Sequence, residues 1–115
     1  PFTGVEEPSG LYCGDEWDGA SFRACVQVNE SLLTYEVGGT AVEPALAMNW
    51  SANDDLTLWT FTLRDGVVFH DGSQFDANDV VTTYAMMWDV ANPLHTGHTG
   101  HFAYFDAAFG LLNQD

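Results

Sequence analysis

The chain has 115 residues, and its 17 acidic side chains outnumber two basic ones, which gives a net charge of −15 at pH 7. This balance argues against nucleic acid or an anionic membrane surface as a partner, because contacts to phosphate need Lys and Arg. Apolar residues make up 46% of the chain. That is enough for one folded domain, and no apolar run approaches the roughly 20 residues that a membrane helix needs.

The leading segment, residues 1–17, is rich in Gly, Pro and acids and is expected to be irregular. The chain begins at Pro1 without a signal peptide, which indicates a processed or excised piece. Cys13 and Cys25 are the two cysteines. A disulfide between them would contribute about 3 kcal/mol by the chain-entropy model and would indicate an oxidising compartment. The alternative is a pair of buried thiols.

The first helix is expected near residues 18–31, with Asp18 or Ser21 as its cap. Its apolar residues recur near one helical face: Phe22, Cys25, Val26, Leu32 and Leu33. The stretch "LLTYEVGGTAVEP" then predicts a short extended segment, a turn at Gly38 and Gly39, and a return through Pro44.

A second hairpin is predicted around "NWSANDDLTLWTFTL". Trp59, Phe61 and Leu63 alternate with smaller or polar residues, which is typical of a strand with one apolar face. The polar "SANDD" segment connects this strand back to Trp50. A turn at "DG" and an extended segment over residues 67–69 follow.

Asp71 and Gly72 make a further turn signal, and Asp76 precedes a second helical pattern over residues 76–90. Asp76 is the natural N-cap of this helix, and Asp79 resembles the reciprocal member of a capping box. The acids of this region therefore have structural roles. The alternative is a chemical site built on His70 and Asp71.

Residues 91–115 are expected to form a loop and tail that contain His and Gly. His95, His98 and His101 are spaced by three, and three imidazoles close together could hold zinc, copper or nickel. Gly97 and Gly100 interrupt any helix there, so the alternative is a flexible loop with incidental His. No catalytic motif occurs, and we assign no catalytic residue, resident metal or cofactor.

Two triplets match the N-glycosylation acceptor pattern, at Asn29 and Asn49. Such triplets often arise by chance, so they are weak candidates for modification.

Residues 42–81 carry a dense, ordered series of motifs: "PALA", "W", "DD", "WTFTLRDGV", "FHDG" and "FDANDVV". The series resembles the N-terminal lobe of the family 5 extracellular solute-binding proteins, the peptide, dipeptide and nickel receptors of ABC importers. The likeness is weaker over residues 11–41 and thins past about residue 90. Members of that family are several times longer than this chain.

The resemblance implies a receptor that lies outside the cell, at the cell surface or in the periplasm. It implies two lobes of the periplasmic-binding-protein type II fold, which close on an oligopeptide or similar solute, and delivery to an ABC permease. It implies neither catalysis nor a cofactor. None of the matching positions is assigned to the ligand pocket, so the ligand-binding residues are unknown.

We therefore predict one α+β subdomain, with a small antiparallel sheet that contains a hairpin and packs with two main helices. Its parts are an irregular segment (1–17), a family-like core (18–90) and a loop and tail (91–115). The predicted core residues are Phe22, Val26, Leu33, Leu46, Trp50, Trp59, Phe61, Leu63, Phe69, Val81, Tyr84 and Trp88. The predicted function is part of a solute receptor; the alternative is a subunit that assembles with copies of itself into a filament or surface layer.

Overall fold

A computed structural model describes residues 6–114. Within that range the chain forms three helices, α1 (Gly19–Val28), α2 (Ala77–Trp88) and α3 (Ala103–Phe109), and four strands, β1 (Leu33–Tyr35), β2 (Val42–Pro44), β3 (Ala47–Ala52) and β4 (Trp59–Leu63). The α+β class is confirmed. The chain divides into two compact units, one made of Pro1–Asn29 with Asn78–Asp115 and the other of Glu30–Ala77.

The first hairpin joins β1 to β2, which run antiparallel with Leu33 opposite Pro44. The turn between them contains Gly38 at φ 80°, a left-handed conformation that glycine adopts without steric cost. The sequence prediction of a turn at Gly38 and Gly39 is therefore confirmed.

The second hairpin joins β3 to β4, with Trp50 opposite Phe61 and Ala52 opposite Trp59. The register shifts between Ala47 and Asn49. Arg64 ties the end of this hairpin to the preceding chain, because its Nε and one terminal nitrogen donate to the Ala45 carbonyl at 3.1 and 3.0 Å. The two hairpins form two separate two-stranded sheets, not the single sheet that we expected.

The segment after β4 forms a turn. Asp71 accepts hydrogen bonds from the backbone N–H and the hydroxyl of Ser73, at 2.9 and 2.7 Å. These bonds, led by the one from the hydroxyl, hold the pKa of Asp71 below its usual value. Gly72 follows at φ 88°, and the side chain of His70 is exposed. The carboxylate is used to order the turn, as the sequence indicated.

Helix α1 is shorter than the predicted range 18–31, and Asp18 caps it. One carboxylate oxygen of Asp18 accepts from the backbone N–H groups of Ala20 and Ser21, at 3.0 and 2.8 Å. The hydroxyl of Ser21 donates to the other oxygen and is the main cause that lowers the pKa of Asp18 to about 2. Helix α2 begins directly after Asp76. That puts Asp76 at the cap position, and its capping role stays a prediction.

Helix α3 corrects the expectation of a loop and tail after residue 90. Phe102, Phe105 and Phe109 are spaced as one helical face, and Gly110 ends the helix at φ 69°. Phe105 packs against Phe109 and Tyr84, with ring centroids 4.8 and 5.6 Å apart. The sequence analysis did not predict α3, because Gly97 and Gly100 just before it are typical of a loop.

The predicted core is wrong in detail. None of the twelve residues is fully buried, and Val26, Trp59 and Val81 expose more than half of their surface. The periodicity of apolar residues predicts which face of a helix or strand is apolar. It does not predict whether another part of the chain packs on that face. The buried apolar residues of the described range are Cys25, Ala45, Ala47, Phe102 and Phe105.

Candidate functional site

Two adjacent carboxylates, Asp15 and Glu16, are almost fully buried and expose 1% and 2% of their surface. They lie at the end of the leading segment, where their backbone N–H groups donate to the Tyr12 carbonyl at 3.0 and 3.2 Å. We call them the acid pair. Ionised carboxylates are almost never fully buried unless they are paired, so each must have a partner.

The predicted disulfide is present and fixes the chain next to the acid pair. Cys13 and Cys25 are joined with their Cα atoms 5.6 Å apart, which links the leading segment to α1. The side-chain amide of Asn29 donates to Cys13 Sγ at 3.0 Å and to the Cys25 carbonyl at 3.3 Å. Because Cys13 precedes Asp15 by two residues, the crosslink restricts where the acid pair can lie.

Asp15 is surrounded by donors from one loop, residues 97–102, which we call the docked loop. Its carboxylate accepts the backbone N–H of Thr99 at 2.6 Å, Gly100 at 3.0 Å, His101 at 3.1 Å and Phe102 at 3.0 Å, and the Thr99 hydroxyl at 2.7 Å. Successive N–H groups that converge on one anion form a nest. Here the anion belongs to the protein, so the nest fixes the loop.

The pKa of Asp15 reflects two opposing causes. Burial alone would raise it, because a low-dielectric environment disfavours the charged form. The hydrogen bonds from the Thr99 hydroxyl and from the loop backbone outweigh burial and hold the pKa of Asp15 well below its usual range. Asp15 is therefore an ionised structural anchor, and its charge is unsuited to proton transfer near neutral pH.

Glu16 has a poorer set of partners. His98 Nδ1 lies 3.0 Å from Glu16 Oε1, within hydrogen-bonding distance. Glu16 Oε2 is buried and has no hydrogen-bond partner within that range. An unsatisfied buried acceptor destabilises by about 1–3 kcal/mol. Gly10 leaves the space that the carboxylate occupies, because a Cβ on Gly10 would collide with Oε1.

His95 has a different partner from His98. Its Nδ1 lies 2.7 Å from the Met86 carbonyl oxygen, and its ring centroid lies 4.5 Å from that of the buried Phe102. Because a carbonyl oxygen can accept but not donate, Nδ1 carries the hydrogen, and in the neutral ring Nε2 is then the acceptor. The ring thus contacts both the last turn of α2 and Phe102 of the docked loop.

The three His do not form a metal site. His95 contacts Met86, His98 contacts Glu16, and His101 contributes its backbone N–H to Asp15. Within the described range, no group of three His, Cys, Asp or Glu side chains could hold a metal ion. The metal hypothesis for His95, His98 and His101 therefore has no support from their geometry.

Sequence reasoning missed the acid pair. The donors to Asp15 lie 84 to 87 residues further along the chain, so no local pattern reports them. One weak signal exists in "HTGHTGH", where the small residues Gly97 and Gly100 let the backbone approach an anion. A Cβ on Gly97 would collide with the Asp15 carboxylate.

The predicted glycosylation candidates lie on the surface. The side chains of Asn29 and Asn49 are both exposed. The Asn29 amide already donates to the disulfide region, and Asn49 lies on β3. Both remain predictions.

No helix of the described residues has the length and apolar character that crossing a membrane requires.

Comparison with known proteins gives one matching family. The model described as "Bacterial extracellular solute-binding proteins, family 5 Middle" matches residues 41–101, just over half of the chain. This match includes both strands of the second hairpin, α2 and most of the docked loop.

Individual relatives agree with that match. Heme-binding protein A of Haemophilus influenzae is 37% identical over 97 residues, which cover 78% of this chain and 18% of that protein. Di/tripeptide-binding protein 1 of Pseudomonas aeruginosa is 34% identical over 111 residues, 90% of this chain and 21% of that protein. The dipeptide-binding protein of Escherichia coli K12 is 32% identical over 105 residues, 86% of this chain and 19% of that protein.

The chain thus spans about a fifth of the length of the curated relatives it matches. None of these three is named for a structural assembly, so the self-assembling alternative has no support from them.

Proposed function

Because the chain belongs to the bacterial extracellular solute-binding proteins of family 5, we propose that it is part of a receptor that binds short peptides for an ABC importer. The observation that carries the proposal is the family match over residues 41–101, together with relatives named for di- and tripeptides. The receptor acts outside the membrane, in the extracellular or periplasmic space. It binds and releases its solute without chemical change.

Peptides are the proposed solute in preference to heme. Di/tripeptide-binding protein 1 and the Escherichia coli dipeptide-binding protein match 90% and 86% of this chain, whereas the heme-binding relative matches 78%. The contacts of Asp15 also fit a structural role in a binding protein. Asp15 has all of its acceptor positions engaged by the docked loop, so it supports the fold and has no free electron pair for a substrate.

A ligand pocket usually encloses most of the ligand surface, and such pockets occur preferentially between domains. A chain that spans about a fifth of its relatives therefore contributes one part of the peptide site. The partners of the complete receptor are a short peptide and the ABC permease. The two lobes of the type II fold belong to this proposal as well.

A chimeric receptor tests the function. The matching segment of the Escherichia coli dipeptide-binding protein is replaced by this chain, and the chimera is expressed in a strain that lacks that receptor. We expect growth on a dipeptide that supplies a required amino acid. A receptor in which the same segment is deleted is the matched control. A chimera that is folded and exported but supports no growth on any di- or tripeptide would refute the proposal.

A further inference from the structure

A pocket of about 290 Å³ lies between the docked loop, α3 and the residues that follow α3. Its polar lining comes from His95, His101, Asp106 and Gln114, and its apolar lining includes Val90, Ala107 and Leu111. All of these residues belong to the unit of Pro1–Asn29 and Asn78–Asp115. The geometry points to a binding site for a small alkylammonium cation, which neither the family match nor the named relatives assign.

The charge of the pocket selects a cation. Asp106 is the one formally charged side chain in its lining, and neither Arg23 nor Arg64 contributes to it. Within the described range, no hydrogen bond to the Asp106 carboxylate occurs, so its oxygens remain available as acceptors. An anion would meet this carboxylate and a chain of net charge −15, which is unfavourable.

The tautomer of His95 adds a second acceptor to the lining. Nδ1 of His95 donates to the Met86 carbonyl, so that in the neutral ring Nε2 keeps a lone pair. The backbone N–H of His101 donates to Asp15, so it is not available as a donor to a ligand in the pocket. A ligand that donates several hydrogen bonds and carries a positive charge is therefore complementary to this lining.

The size and apolar lining select an organic cation. A pocket near 300 Å³ is at the lower end of the range for small-molecule sites. The alkyl part of the ligand would lie against Val90, Ala107 and Leu111. A metal ion is a poor alternative, because no group of three metal-ligating side chains converges among residues 6–114.

The test is an NMR titration of the 115-residue chain with n-butylammonium chloride, followed through backbone amide shifts. Sodium chloride at about 0.5 M reduces the Debye length to a few ångströms and suppresses non-specific attraction. We expect saturable shifts at Gly100, His101, Ala103 and Ala107. The isosteric probes n-butanol and butyrate should produce no saturable shift at these amides.

Three variants separate the site from general charge effects. Asp106→Asn should raise the dissociation constant for butylammonium at least tenfold, and Ala107→Leu should abolish binding by filling the pocket without a change of charge. Asp65→Asn removes one exposed carboxylate from the other unit and should leave the dissociation constant unchanged. Retained amide dispersion shows that each variant is folded.

Several outcomes would overturn the proposal. Equal shifts with n-butanol would mean an apolar cavity without charge selection. Equal losses in Asp106→Asn and Asp65→Asn would mean diffuse attraction to an acidic chain. Saturable binding of Zn²⁺ that displaces butylammonium would identify a metal site instead. The result is independent of peptide transport, because the readout concerns one pocket and uses no peptide.

Discussion

At the scale of single residues, the described structure depends on where its acids lie. Most of the carboxylates are exposed, but Asp15 and Glu16 are almost fully buried. Asp15 is stabilised by five donors from the docked loop, whereas Glu16 has one His partner and one unpaired oxygen. The docked loop donates hydrogen bonds to both oxygens of Asp15, so that burial of Asp15 is compensated. It offers a partner to one oxygen of Glu16, so that burial of the other oxygen is destabilising.

Asp15→Asn should lower the free energy of unfolding by about 2–3 kcal/mol, because the strong bonds to a charged acceptor are lost and the amide introduces a donor that faces other donors. Chemical denaturation measures the change. Asp54→Asn, at an exposed carboxylate, is the matched control and should have little effect. Equal unfolding midpoints for the two variants would show that the nest does not stabilise the fold.

The native chain and the Asp15→Asn variant should also differ in how their free energies of unfolding depend on pH. The pKa of Asp15 is lowered in the folded state, so its contribution to stability is complete above the unfolded value of about 3.9 and is lost as the pH falls below it. The stability difference between the native chain and Asp15→Asn should be constant near neutral pH and should shrink below about pH 4. A difference that grows on acidification would contradict this assignment.

Gly97→Ala should destabilise the docked loop, because the new Cβ would collide with the Asp15 carboxylate. Gly19→Ala is a matched control, since a Cβ at the start of α1 would meet no atom within 4 Å. Thermal unfolding of the two variants compares them directly. A Gly97→Ala protein as stable as Gly19→Ala would mean that the loop relaxes away from Asp15 at no cost.

At the scale of elements, local signals were sufficient for the hairpins. Gly38 marks one turn, and the alternation from Trp59 to Leu63 marks a strand, so both hairpins could be predicted. The acid pair and the burial of Phe102 could not be predicted, because both depend on contacts between distant parts of the chain. Helix α3 had a readable signal in its Phe spacing, and two preceding glycines obscured it.

The disulfide acts at this scale, since it ties the leading segment to α1. Replacing Cys13 and Cys25 by Ser should lower the free energy of unfolding by about 3 kcal/mol. Amide hydrogen exchange at Thr99, Gly100 and Phe102 should accelerate, because the anchor residue Asp15 lies two residues from the crosslink. The amides of β3 and β4, in the other unit, are the internal control. Uniform acceleration in both units would contradict a local role.

At the scale of the whole molecule, many large apolar side chains of the described residues are exposed. Trp59, Val68 and Phe69 are exposed in the unit of Glu30–Ala77, and Val81, Tyr104 and Phe109 are exposed in the other. Large exposed apolar patches mark contact surfaces. The chain spans about a fifth of its matched relatives, so exposure of this kind agrees with the proposal of a receptor segment.

The measurement that tests the central claim most directly is a calorimetric titration of the purified chimeric receptor with a dipeptide and, separately, with heme. The account predicts one saturable dipeptide site per chain and no site for heme. A folded chimera that releases heat with heme alone, or with neither solute, would contradict a peptide receptor.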